Sequence, residues 1–242
     1  MENFAQKLQD ILKLESHPVA VKFCKDIPDW NGFVEAKRSR YCQALMRARR
    51  GEKVYLTPDE ISCPASASAL GFRESPEKLA SGEMPAAFGL FGSADAAKHT
   101  IADMPKIQMG RYKAVAMSPL SLASYFPDVV VIEAKAEQIM WLALASVYNT
   151  GGRYNFSTGI LQATCVDSTI LPFLSGEVNM SFGCYGCREA TDMQDDEAII
   201  GIPAGKLEEI AASLSKLSEK AMPRVRSKKV YQMYTEKETE LK

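Results

Sequence analysis

The chain has 242 residues, 46% hydrophobic and 24% charged, a composition that excludes a disordered tail or a low-complexity filament. Folding at this length removes roughly 70% of the unfolded chain's surface from water, so a core can form without disulfide staples. With 29 Lys and Arg against 30 Asp and Glu, the net charge of −1 gives no global field to hold nucleic acid or an anionic bilayer.

The first sixteen residues carry charges throughout, and no later stretch approaches the roughly 18 apolar residues of a membrane span, so a cytoplasmic protein is expected. In that compartment the six cysteines, Cys24, Cys42, Cys63, Cys165, Cys184 and Cys187, stay reduced and serve as thiols or metal ligands.

In chain order, Phe4, Leu8, Ile11, Leu12 and Leu14 share one face of a helix over 2–15, and Pro18 ends it before a strand containing Val19, Val21 and Phe23. A helix is expected from Arg38 to Arg50 with Gly51 as its stop, turning Cys42 inward. Lys53 to Leu56 reads as a strand, and Thr57-Pro58-Asp59-Glu60 as a capping box that starts a turn of helix. A second short helix restarts at Pro64 and runs to Leu70, placing Cys63 at its N-terminus. Short helices follow near Pro76 to Ala80 and Ser93 to Asp103. Strands are then expected at Tyr112 to Met117 and Val129 to Ile132, and a helix from Ala136 to Tyr148. The C-terminal part repeats the pattern, with strands at Val178 to Phe182 and Ala198 to Ile202 and a helix from Lys206 to about Lys220.

The fold class is therefore α/β (α+β in strict usage), a mixed β-sheet covered by helices in one domain over 1–222, with a peripheral arm over 223–242. The constant offset between the two later strand–helix runs admits two duplicated ββα units, about 111–150 and 177–221.

Gly183-Cys184-Tyr185-Gly186-Cys187-Arg188 follows a strand directly, and its glycines permit the tight turns that aim amides at an anion or thiolate. Its C-x-x-C has three chemical readings: half of a zinc site, a redox dithiol, or part of an iron–sulfur ligand set. Zinc is weakened by the lack of a second close pair, with His17 and His99 isolated. Iron–sulfur clusters take ligands scattered through a sequence, which suits Cys42, Cys63, Cys165 and Cys184, with Cys187 a substitute for one of them. Arg188 and the amides around Gly183 and Gly186 are expected as donors to the cluster sulfurs. The competing reading leaves the thiols as buried packing. It has a non-metallated protein bind a small anion or a partner through the basic helix 38–53, with Arg38, Arg40, Arg47, Arg49, Arg50 and Lys53.

The blocks Pro18-Val19-Ala20-Val21-Lys22-Phe23, Cys42-Gln43-Ala44-Leu45, Cys63 with Ala69-Leu70-Gly71-Phe72, Gln162-Ala163-Thr164-Cys165 and Ser181-Phe182-Gly183-Cys184-Tyr185-Gly186-Cys187-Arg188 together resemble the prokaryotic DUF169 family of uncharacterised proteins. The resemblance implies a cytoplasmic protein of bacteria or archaea, common in anaerobes. It also sets Cys42, Cys63, Cys165 and Cys184 apart from Cys24 and Cys187, which fit the family pattern less well. The expected cofactor is an iron–sulfur cluster, [4Fe–4S], with zinc as the alternative. Expected partners are a small molecule, a redox protein or a second copy of the chain, with neither nucleic acid nor membrane.

Overall fold

The computed structural model describes residues 2–159 and 161–240. Seven strands form one mixed sheet: β1 (Val19–Cys24), β2 (Val34–Glu35), β3 (Val54–Leu56), β4 (Ala114–Pro119), β5 (Val129–Lys135), β6 (Asn179–Ser181) and β7 (Glu197–Pro203). Their order is β2-β3-β4-β1-β5-β7-β6, with β2 and β3 parallel and every other neighbour antiparallel.

Side chains alternate across a strand, and the two faces carry different helices. Val19, Val21, Phe23, Val129, Val131 and Ile199 face the first core. That core is covered by α2 (Tyr41–Arg49), α3 (Pro64–Ala69) and a π-helix (Ala163–Ile170). Ala20, Val130, Ile132, Ile200 and Ile202 face the second core, under α1 (Glu2–Leu12), α7 (Ala136–Ser146) and α10 (Leu207–Glu219). A smaller cluster of Cys24, Ala114 and Ala116 lies under Trp30, Phe33 and Tyr55. The chain between β3 and β4 also contributes α4 (Glu77–Ala80), α5 (Glu83–Ala87) and α6 (Ala94–Ala102).

Several boundaries shift for local reasons. The first helix ends at Leu12 because Lys13 takes φ 60°, and the Gln138 amide donates to the free carbonyls of Leu12 and Lys13 at 3.0 and 2.9 Å. The second begins at Tyr41 because Arg38 takes φ 46° and Ser39 bridges to Ile61. The expected capping box does not cap a helix. Thr57 donates instead to Glu35 Oε1 at 2.9 Å, and the Glu60 carboxylate accepts from the Arg38 amide at 2.8 Å, so 57–61 is a turn that braces β2. The stretch after Gly152, for which the sequence suggested no element, holds the π-helix and α8 (Leu171–Ser175).

Duplicated units are not confirmed. β6 and β7 pair directly, whereas β1 separates β4 from β5, so the two candidate ββα units are built differently. The arm beyond 223 is helical where described. α11 (Ala221–Arg226) buries Met222, and Arg226 donates to Glu137 and to the carbonyl of Ile11. α12 (Lys229–Glu240) follows with Val230, Tyr231 and Met233 exposed; residues 241 and 242 lie outside the described residues. Among the described residues no helix is long and apolar enough to cross a membrane.

Candidate functional site

A cavity of about 370 Å³ on the first-core side of the sheet is lined by five of the six cysteines: Cys42, Cys63, Cys165, Cys184 and Cys187. Cys42 lies in the first turn of α2, and Cys63 is the N-cap of α3, where Pro64 sets the first helical φ. Cys165 lies on the π-helix. Cys184 is the N-cap of a helix α9 (Tyr185–Ala190) that contains Cys187, so the expected glycine loop is a strand-to-helix junction. Cys24 follows Phe23 on β1, so the strand's alternation turns it to the opposite face of the sheet.

Hydrogen bonds lock these elements together. Tyr41 donates to Thr169 Oγ1 at 2.9 Å, and Thr169 donates to the Thr164 carbonyl at 2.8 Å, tying α2 to the π-helix. Gln43 accepts from the Arg40 amide at 3.0 Å and donates to the Ala190 carbonyl at 3.2 Å. Arg40 Nη1 donates to the Gly186 carbonyl at 3.1 Å and meets Glu189 at 3.4 Å, so α2 also holds α9.

The sulfurs sense one another. Burial pushes the Cys42 thiol up to about 12, and the neighbouring sulfurs of Cys184 and Cys63 raise it further. Cys165 is raised by burial first and then by Cys63, Cys184 and Cys42. Cys184 moves the other way. A hydrogen bond from the Cys187 side chain, joined by the amides of Ala163, Cys187 and Gln162, holds its thiol well below the usual value against the effect of burial. The same hydrogen bond, with burial, raises the Cys187 thiol. Two of those amides, Gln162 with φ 66° and Ala163, stand at the start of the π-helix.

Those amides widen one expectation, because Gln162 and Ala163 of the π-helix join Cys187 of the glycine stretch. Gly183 is needed for its backbone, φ 82°, where a Cβ would fall 2.9 Å from Met193 Sδ. Gly186 supplies a carbonyl to Arg40. Arg188 is a correction. Its guanidinium donates to the carbonyls of Phe182 (2.6 and 3.2 Å), Gln194 (3.1 Å) and Glu197 (3.0 Å) and does not line the cavity. The cation at the cavity edge is Arg40, which the sequence grouped with a basic helix.

That basic helix is occupied by the chain's own carboxylates. Arg47 pairs with Glu52 at 2.6 Å, Arg49 with Glu133 and Glu197 at 2.8 and 3.0 Å, and Arg50 with Asp192. The outer wall of the cavity is apolar, with Leu79, Met84 and Pro85 from α4 and α5 and Leu161 opposite. At the rim, exposed Phe88 stacks over Tyr185 with ring centroids 6.5 Å apart. Among the described residues no three His, Cys, Asp or Glu side chains form a group that could hold a metal ion as they stand.

The DUF169 family model, described as Uncharacterised ArCR, matches residues 7–213. This chain belongs to the DUF169 family. A relative, Uncharacterized protein MJ0308 of Methanocaldococcus jannaschii, is 30% identical over 215 residues, which cover 87% of this chain and 91% of the archaeal protein. No solved structure matches. The span matched to DUF169 takes in all six cysteines and every element of the cavity.

Proposed function

We propose that this DUF169 chain is a cytoplasmic iron–sulfur protein, with a [4Fe–4S] cluster held by Cys42, Cys63, Cys165 and Cys184. The observation that carries the reading is the convergence of these four sulfurs, drawn from α2, the α3 N-cap, the π-helix and the α9 N-cap, on one cavity. A single tetrahedral ion needs Zn–S bonds of about 2.3 Å and therefore tightly closed sulfurs. A four-iron cage spreads its ligands further apart, which suits thiols that four separate elements bring to one cavity.

The electrostatics support the same reading. Burial and mutual proximity keep Cys42 and Cys165 protonated in the bare chain. A cationic iron core would take up the charge of all four thiolates and release their protons. The amides of Gln162 and Ala163 help to lower the Cys184 thiol, as donors around a cluster sulfur do. Held there by four thiolates, the cluster would supply electron transfer, with the apolar outer wall keeping water from it. A reducing compartment such as the cytoplasm would keep the ligands available. Protein reconstituted with iron and sulfide without oxygen, then desalted, is expected to be brown and to bleach in air. A colourless product would leave the cysteines as buried thiols.

A further inference from the structure

We propose that Cys184 and Cys187 form a redox-active dithiol that closes to a disulfide by exchange with a small organic disulfide entering the cavity. The proposal concerns the chain with its thiols bare and stands whether or not the loaded chain carries a cluster.

The pair is preset by the start of α9. The Cys184 amide donates to the Cys187 sulfur at 2.9 Å, and the Cys187 thiol reaches back to the Cys184 carbonyl at 3.2 Å. The second sulfur is therefore folded over the first residue. Side chains three apart on a helix are neighbours, so the bond can form by local adjustment. Pairing Cys42 with Cys165 or with a cysteine of α9 would have to draw together elements that Tyr41, Gln43 and Arg40 hold in place.

The two sulfurs differ in access. Both line the cavity, but Cys184 is 9% exposed and Cys187 1%. A second observation points to an entering group. Thr164 Oγ1 is buried in the cavity wall with no well-formed hydrogen bond, and the Cys187 sulfur is its polar neighbour. A hydroxyl left in that state costs stability unless something arrives to meet it.

The exchange runs in two balanced steps. The Cys184 sulfur, losing its proton, attacks a disulfide R–S–S–R; the S–S bond breaks, and one R–SH leaves with that proton. The Cys187 sulfur then attacks Cys184 Sγ in the mixed disulfide, and the second R–SH leaves with the Cys187 proton. The two cysteines are oxidised and the organic disulfide is reduced to two thiols.

The test uses full-length, iron-free, reduced chain treated with hydroxyethyl disulfide, followed by blocking of the remaining thiols and peptide mapping. Wild type is expected to lose two of its six thiols and to yield a peptide linking Cys184 to Cys187. Cys187→Ser should stop at a mixed disulfide on Cys184, and Cys184→Ser should acquire no adduct at Cys187. Retention of all six thiols, or a linkage between other cysteines, would overturn the proposal. Iron content is not part of this readout, so a failure here is distinct from a failure of the cluster assignment.

Discussion

Glu133 shares a face of β5 with Val129 and Val131; Oε2 accepts from Arg49 at 2.8 Å, while Oε1 is buried with no partner. Burial raises its carboxyl to about 7, with Arg49 opposing. The native chain therefore binds more protons than the unfolded chain between pH 4.5 and about 7. The contribution of Glu133 is fully present below pH 4.5 and is lost as pH rises through about 7. Asp167, raised to about 6 by burial, acts in the same direction, and the lowered Cys184 acts oppositely at higher pH, so only a difference isolates Glu133. Glu133→Gln keeps an acceptor for Arg49 and removes the titration. Urea unfolding at the two ends of that window should show wild type losing stability relative to the variant, whereas parallel curves would mean that Glu133 does not titrate there. The same residue shows what a sequence conceals at this scale. The apolar run Val129 to Ile132 reads as a strand that stops at a charge, yet β5 continues to Lys135 because Arg49, far away in sequence, receives that carboxylate.

Among the elements, the π-helix positions most of the site. Ser168 and Thr169 donate to the carbonyls of Ala163 and Thr164, five residues back, so its hydroxyls follow the wider winding. Asp167 on the same helix accepts from Thr158 at 2.7 Å and from Ser181 at 3.0 Å, and Asn179 donates to its carbonyl at 2.8 Å, which docks the helix on β6. Every residue of Ala163–Ile170 is buried, polar and apolar alike, so neither a period of 3.6 nor a period of 2 marks it. Cys165 could be singled out as a cysteine, but its element could not. β7 admits the helix at Gly201, where a Cβ would fall 1.9 Å from the Ser168 carbonyl oxygen. Gly201→Ala is expected to cost about 1–3 kcal/mol, as overpacking does. Gly205→Ala, whose Cβ would meet nothing within 4 Å, should stay within about 0.5 kcal/mol. Urea midpoints of the two variants decide it, and equal midpoints would mean that the helix can shift away freely.

At the scale of the molecule, alternation and helical period place most strands and long helices near where they stand, because each buries one face locally against the sheet. Strand order is another matter. β1 lies between β4 and β5 through pairings ninety or more residues apart, and nothing local in Val19–Cys24 specifies those partners. The candidate ligands were legible as cysteines, and their convergence depends on that distant order, which carries α2, α3, the π-helix and α9 to one face. In the proposed function, sulfurs from both halves of the chain hold one cluster, which would tie those halves together. Iron and sulfide per chain after anaerobic reconstitution test it most directly, in wild type, in Cys42, Cys63, Cys165 and Cys184 each changed to Ser, and in Cys24→Ser. Wild type and Cys24→Ser should each hold about four iron and four sulfide, and each of the four other variants should hold markedly less. Wild type that takes up no iron, or four single variants that all keep the full complement, would contradict the claim.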